Sequence, residues 1–190
     1  MKKSRHLIWV LFISVLIFIP SLAMAQAKYV GSKKCMSCHS SIYETWKDTL
    51  HNKSQQILSR TNDTLVVNWK GMIKLKAGNI PEVIIKLEEG PGQVYQATLV
   101  DARDPSKEVT YNVVRTYGGW GWKQRYQVKI GNHHYILPFQ WNQATSRWVP
   151  YNLQNWFKED GSLKTPAVEK SFEMSCAGCH NTGLELKKVD

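Results

Sequence analysis

All four cysteines of the chain fall in two copies of one short pattern, CMSCH at residues 35–39 and CAGCH at residues 176–180. Cys-x-x-Cys-His is the attachment signature of c-type haem, in which both thiols bond to the porphyrin vinyl groups and the histidine reaches the iron. Two thiols three residues apart on a tight turn reach one edge of the ring, and the next residue lies over the metal. The sequence therefore predicts two covalent c-type haems. The attachment residues are Cys35, Cys38, Cys176 and Cys179, and the proximal iron ligands are His39 and His180.

Other uses of four cysteines fit the pattern less well. An exported protein would ordinarily form two disulfides. A zinc site built from two Cys-x-x-Cys pairs would not need a histidine directly after each pair. A redox-active dithiol would be expected within a strand-helix-strand pattern, and neither motif has one around it. Covalent haem remains the best interpretation of the spacing.

The sixth iron ligands must come from the few remaining histidines. His51 lies twelve residues after His39, and the intervening segment has a helical period over residues 40–58. One straight helix would separate the two histidines by about 18 Å, whereas two nitrogens on one iron are only about 4 Å apart. We therefore predict that His51 binds a different iron, in the haem at Cys176 and Cys179 or in a neighbouring molecule. The first is favoured because a small domain brings its haem segments together; a surface histidine is the alternative.

A hairpin across residues 131–132 carries the other two histidines. The expected cross-strand pairs are Ile130 with His133, Val128 with Tyr135, and Tyr126 with Leu137. This register puts His133 on the apolar face, where it is an iron ligand, a buried, hydrogen-bonded histidine or an exposed residue at the hairpin tip. His134 falls on the polar face, where a solvated histidine is the better interpretation. Met72 and Met174 are better explained as packing residues than as ligands.

The first 25 residues have the layout of a secretory signal peptide. Three basic residues precede an uncharged run, and small residues at Ala23 and Ala25 favour cleavage before Gln26. A retained N-terminal anchor is the alternative, since no charge lies between Arg5 and Lys28. We expect a periplasmic or extracellular protein that touches a membrane only if this segment is retained.

Charge and length limit the function classes. Loss of the three basic residues in the signal peptide leaves 22 basic against 15 acidic residues, a net charge of +7. The positive residues are scattered, which argues against nucleic-acid binding. Residues 26–190 are long enough for one domain with a core, and we expect one dihaem cytochrome c domain.

The elements that position the motifs change character along the chain. Strand-like segments follow one another from about residue 64 to 137, separated by Gly, Pro and Asn. Packed loops and a short helix are expected after Pro138, and Thr165-Pro166 is a helix start leading to the second motif. The predicted fold class is α+β, with a β-rich central region flanked by helical haem-binding segments.

The segment YVGSKKCMSCHSSIYETWKDTLHNKS resembles the first haem segment of multihaem cytochromes related to the tetrahaem electron acceptor of hydroxylamine oxidation. Later stretches, RYQVKIGNHHYILPFQWN and SCAGCHNTG among them, are similar to exported multihaem proteins of the same group. In that group the histidine after Trp and Ser or Thr typically serves a different haem from its own segment's, which implies the same for His51. Larger relatives continue with a further Cys-x-x-Cys-His, which this chain lacks, so the resemblance implies a shortened, dihaem form.

Electron transfer between redox partner proteins is the function that these features favour, with two haems whose potentials are tuned by ligands and burial. In a variant of it, molecules associate through haem contacts into a continuous chain. The alternative is an enzyme, a reductase or peroxidase of a small nitrogen or oxygen species at a five-coordinate haem. A haem-based sensor is disfavoured because no output domain follows the haem region.

Overall fold

The computed structural model describes residues 29–59 and 63–181. The predicted signal peptide, residues 1–25, lies outside the described residues. The chain divides into two compact units, residues 1–40 and 41–190. Within the described residues, no helix is long and apolar enough to cross a membrane.

An antiparallel sheet of eight strands dominates the second unit. The strands are β1 Gln55–Ile57, β2 Gly71–Ala77, β3 Ile80–Gly90, β4 Val94–Val100, β5 Glu108–Gly118, β6 Lys123–Ile130, β7 His133–Asn142 and β8 Arg147–Pro150. Strands β2 to β8 are hydrogen-bonded in chain order, and β1 pairs with the C-terminal half of β5, past the end of β4. Cα atoms of β2 and β8 approach within 8 Å, so the sheet is nearly closed and barrel-like.

The helices are few and short. They are α1 Ser32–Cys35, α2 Ser40–Lys47, α3 Phe172–Ser175 and α4 Ala177–His180, with 3-10 turns at Leu153–Asn155 and Val168–Lys170. The predicted fold class was therefore wrong: the described chain is a barrel-like antiparallel sheet, and no long helical segments flank it. The helix α1 ends at the first cysteine of the first motif, which continues as a turn, whereas α4 covers the last four residues of the second motif.

The helix predicted for residues 40–58 ends at Lys47 because polar side chains beyond it bond to the last carbonyls. The Asn52 side-chain amide donates to the Lys47 carbonyl at 2.7 Å, and the Thr49 hydroxyl donates to the Trp46 carbonyl at 2.8 Å. The chain then turns and enters β1, whose backbone groups pair with the edge of β5. The straight helix from His39 to His51, on which the 18 Å estimate depended, is therefore not formed.

The helix predicted to begin at Thr165-Pro166 does not form there, because residues 164–167 are irregular. A 3-10 turn ends at Lys170, and Ser171 is extended, with φ −63° and ψ 157°. Its hydroxyl accepts the Met174 N–H at 3.4 Å and caps a new helix, α3. Cys176 follows directly at the end of α3, so this capped helix determines where the second motif begins.

The barrel interior holds an aromatic core. Trp69 lies edge-on to Tyr126, with ring centroids 4.6 Å apart, and both rings contact Phe139 and Trp148. Residues 64–69 were predicted as a strand but are irregular. Their main chain is hydrogen-bonded by the side chain of Gln124 and not by the backbone of a neighbouring strand. The Gln124 side chain donates to the Thr64 carbonyl at 2.7 Å and accepts from the Val66 N–H at 3.1 Å.

The β6–β7 hairpin follows the predicted register only near its turn. Ile130 pairs with His133 and Val128 with Tyr135, as expected, but the register shifts between Arg125 and Gln127, so the predicted pairing of Tyr126 with Leu137 was wrong. One residue of β6 faces residues 137–139 of β7, so Pro138 lies within the bulge; it has no N–H to donate, and a bulge is where a strand tolerates proline. As a result β7 continues to Asn142, and β8 follows where loops had been expected.

Candidate haem-attachment sites

The two Cys-x-x-Cys-His motifs share a pattern of main-chain hydrogen bonds. In the first, the N–H groups of Cys38 and His39 donate to the Cys35 carbonyl at 3.3 and 2.8 Å. In the second, the N–H groups of the equivalent residues donate to the Cys176 carbonyl at 3.2 and 3.1 Å. One helical turn therefore puts the two thiols three residues apart on one side, followed at once by the histidine.

The donor set in each turn fits a covalently attached haem. All four cysteines are free thiols, three of them exposed and Cys176 partly buried. Around the first motif, residues 29–42 are all exposed, among them Tyr29, Val30 and Ile42 at 72%, 67% and 65%. A helix of four residues cannot stabilise itself in water. Thioether bonds and contact with the apolar face of a haem would supply the stabilisation that packing within this segment does not provide.

The second motif is docked on the outer face of the sheet. Phe172 and Ala177 are buried against Tyr117 of β5, and Ile136 and Cys176 pack around them. Burial raises the pKa of the Cys176 thiol. Cys176 also lines a cavity of about 240 Å³ between β7 and the C-terminal segment. The first attachment thiol of this motif is therefore partly enclosed, whereas the thiol of Cys179 is open to solvent.

Tyr117 contacts the predicted iron ligand of the second motif. Its ring lies 5.6 Å from the His180 ring at an interplanar angle of 84°, and 5.3 Å from the Phe172 ring. Burial first, and then the proximity of Cys176, raises the pKa of Tyr117 to about 12. A neutral, buried phenol ring thus forms one wall beside His180.

His51 lies in the turn between α2 and β1. The His51 carbonyl accepts a hydrogen bond from the Ser54 hydroxyl at 2.9 Å. The Ser54 carbonyl in turn accepts one from the Gly118 N–H at 2.6 Å. The next residue, Gln55, pairs with Tyr117 across the β1–β5 ladder. The chain segment carrying His51 therefore lies against the end of β5 that contacts the second motif, and His51 itself is exposed.

The two hairpin histidines are neighbours on β7, and the Nδ1 atoms of both lie near the Glu173 carboxylate, at 4.0 Å for His133 and 2.6 Å for His134. His133 shares its face with Tyr135, whose side chain belongs to the barrel core, and its ring lies 6.5 Å from that of Tyr135. The His133 Nδ1 is buried without a hydrogen-bond partner among the described residues. His134 shares the outer face with Ile136, the face covered by the second motif.

His134 is held by a carboxylate and is not simply solvated, which corrects the interpretation of its face as a solvent-facing one. Its Nδ1 lies 2.6 Å from Oε1 of Glu173, and its main-chain N–H donates to the same carboxylate at 3.1 and 3.2 Å. Burial opposes ionisation of Glu173, but these hydrogen bonds outweigh it, and the pKa of Glu173 is lowered. The pair ties α3 to β7 three residues before Cys176.

The sequence analysis missed Tyr117 and Glu173 as site residues. Tyr117 is one of eight tyrosines in the chain, and a strand pattern does not identify which of them meets the C-terminal segment. Glu173 lies one helical turn before Cys176, a spacing that could have drawn attention to it. Neither the 5.6 Å ring contact nor the ion pair has a sequence signature.

Comparison with known proteins adds a partial match. The family model described as cytochrome c554 and c-prime matches residues 34–79, which include the first Cys-x-x-Cys-His and His51. No curated protein and no solved structure shows a significant match to the chain. The match supports a c-type cytochrome that carries covalent haem and transfers electrons.

Proposed function

We propose that the protein is an exported dihaem c-type cytochrome that transfers electrons between redox partner proteins. The observation that carries this proposal is the shared main-chain hydrogen-bond pattern of the two motifs, each of which presents two free thiols and a histidine on one helical turn. The family match over residues 34–79 supports it at the first motif. A relative of the multihaem group that carries two haems is the finer form of the proposal.

Different residues are proposed to attach each haem and to bind its iron. A bound haem supplies a reversible one-electron couple between ferric and ferrous iron. Cys35 and Cys38, with His39, would hold one haem, and the equivalent residues at 176, 179 and 180 the other. His51 and His133 are proposed as sixth ligands. Three of the four thiols are exposed, which supports haems whose edges a partner protein could approach.

Export and partners belong to the same proposal. Attachment of c-type haem in bacteria takes place outside the cytoplasmic membrane, which agrees with residues 1–25 as a signal peptide and with a periplasmic or extracellular location. Redox proteins are the expected partners, and association between copies through haem contacts would extend the electron path.

Mass spectrometry of the exported protein tests the proposal. The mature chain should carry the added mass of two haems, and these should survive acid-acetone extraction because each is held by two thioether bonds. Cys35→Ala with Cys38→Ala should remove one haem, and Cys176→Ala with Cys179→Ala should remove the other. A chain without haem mass, or one with disulfides between these cysteines, would overturn the proposal.

A further inference from the structure

Two tryptophans are exposed on the turn between β5 and β6, which has the sequence GGWGW over residues 118–122. Trp120 is 49% exposed and Trp122 is 71% exposed, whereas the other five described tryptophans are buried or half-buried. An indole ring left in water forgoes a large favourable burial, and clustered exposed aromatic rings commonly mark a binding surface. The exposed rings of this turn therefore suggest a binding surface.

The turn has a defined shape. The Gly119 N–H donates to the Lys123 carbonyl at 2.9 Å, and the Gln143 N–H donates to the Trp122 carbonyl at 2.9 Å. The Gly121 N–H donates to the Gln143 side chain. These bonds hold the exposed rings on a fixed backbone.

The backbone conformation at Trp120 is unfavourable for a residue of its kind. Trp120 has φ +57°, in the left-handed region that favours glycine, and glycines flank it on both sides. A bulky residue held there by its surroundings is strained, and such strain concentrates at functional sites. Glycine at position 120 would relieve the strain, so the tryptophan ring itself needs an explanation.

Three elements meet at this turn. Gly118 follows Tyr117, whose ring contacts His180 of the second motif at 5.6 Å. The Gly118 N–H donates to the Ser54 carbonyl, in the turn that carries His51. The Lys53 ammonium lies over the Trp120 ring, 5.6 Å from its centroid. Trp120 therefore lies three residues after the tyrosine that contacts His180, and its ring is in contact with Lys53, two residues after His51.

We propose that Trp120 packs against the haem held by Cys176 and Cys179, as an apolar wall of that site next to the His51 turn. The inference rests on the proposed function, because it needs a haem at the second motif. A flat, apolar porphyrin edge is the kind of surface that an indole ring covers well. The wall would keep water from the haem, and the exclusion of water disfavours the more highly charged ferric state and raises the reduction potential.

The direct test uses a chain with only the second haem, made by Cys35→Ala with Cys38→Ala. In that background we compare the midpoint potentials of Trp120→Ala, Trp120→Gly and Trp120→Phe. The first two should lower the potential and shift the haem absorption bands, and phenylalanine should restore most of the original value. Trp120→Gly is informative about folding as well, because it relieves the positive φ and should not lower the thermal stability of the protein. Trp122→Ala is the matched control and should leave the potential nearly unchanged.

A second measurement avoids substitution at the site under test. In the two-haem protein labelled with 5-fluorotryptophan, the Trp120 resonance, assigned by its loss in Trp120→Phe, should be shifted or broadened in the ferric state and recover on reduction. The Trp122 resonance should respond less.

The outcomes separate this inference from the proposed function. Absence of haem mass on the second motif would overturn the proposed function and this inference together. An attached haem whose potential and spectrum are the same in Trp120→Ala and Trp120→Gly as in the parent would overturn the inference alone. Weaker association of those variants with a redox partner, at unchanged potential, would identify the turn as a protein-docking surface and also overturn it. Equal effects of substitutions at residues 120 and 122 would contradict the assignment to Trp120.

Discussion

The rings of Tyr117 and His180 lie 5.6 Å apart and nearly perpendicular, so a residue on β5 touches the histidine of a motif 63 positions later in the chain. This contact connects the barrel to the proposed iron ligand. A ligand ring held by a buried neighbour has a fixed orientation, which is what a defined haem environment needs.

Replacement of Tyr117 by alanine should therefore affect both stability and the second haem. Loss of a buried aromatic ring that also contacts Phe172 is expected to lower the free energy of unfolding by about 3 kcal/mol. The low-spin electron paramagnetic resonance signal of the second haem should broaden as His180 gains freedom. Tyr117→Phe retains the ring and should change neither quantity much; a large effect of that variant would mean that the hydroxyl, not the ring, matters.

His51→Ala should convert one low-spin haem to high spin while both haems stay attached. The physical basis is the position of its turn against the end of β5 that contacts the second motif. Electron paramagnetic resonance at low temperature measures the change. If the effect persists in the chain with only the second haem, His51 serves that iron. A change confined to concentrations at which the protein self-associates would indicate ligation between molecules, and an unchanged spin state would exclude His51 as a ligand.

His133→Ala should perturb a haem spectrum more than His134→Ala does. The Nδ1 of His134 is hydrogen-bonded to Glu173 at 2.6 Å, whereas the Nδ1 of His133 lies 4.0 Å from the same carboxylate and has no hydrogen-bond partner among residues 29–59 and 63–181. Visible and electron paramagnetic resonance spectra of the two variants provide the comparison. Negligible effects from both would remove the hairpin from the set of ligands, and a larger effect from His134 would reverse the assignment.

Glu173→Ala should loosen the docking of the C-terminal segment on β7. The carboxylate accepts hydrogen bonds from both the ring and the main chain of His134 within 3.2 Å, and loss of a hydrogen bond to a charged group costs about 1.5–3 kcal/mol. Denaturant unfolding should show this loss, and amide exchange in residues 172–180 should speed up more than in the barrel. Glu44→Ala, at an exposed ion pair with Lys47, is the control and should have little effect on stability. Uniformly faster exchange across the barrel would contradict a local anchoring role.

Stability should fall on acidification partly through Asp101. Its pKa is lowered by the Leu163 N–H at 2.8 Å first, and then by the N–H groups of Arg103 and Asp104. A carboxyl with a lowered pKa in the folded state contributes stability above its unfolded pKa of about 4, and this contribution is lost as the pH falls through the folded value.

Asp101→Asn should therefore be less stable than the wild type at pH 7 and should lose less stability on going to low pH. Thermal unfolding from about pH 6 to pH 3 measures both effects. Parallel pH dependences for the two proteins would show that Asp101 does not contribute to acid sensitivity.

The local chemistry of this protein is readable from its sequence, since a thioether site needs only residue types at fixed short spacing. Cys35, Cys38 and His39, with their counterparts at 176–180, were predicted as such sites in this way, and in the structure both motifs have the same pattern of main-chain hydrogen bonds. The hairpin register near residues 131–132 was also predicted correctly, because a two-residue turn determines the pairs next to it.

Tertiary structure decided what depends on contacts distant in sequence. The helix predicted for residues 40–58 ends at Lys47 because the Asn52 side chain caps it and residues 55–57 pair with the edge of β5. The bulge that contains Pro138 shifts the register of the hairpin. The outer face of β7 is covered by residues 172–177, so its polar residues suggest a solvent-facing surface that is in fact packed. Side-chain periodicity reports that two faces differ, but only the packed chain determines what covers each face, because burial is a property of the assembled surfaces and not of any one segment.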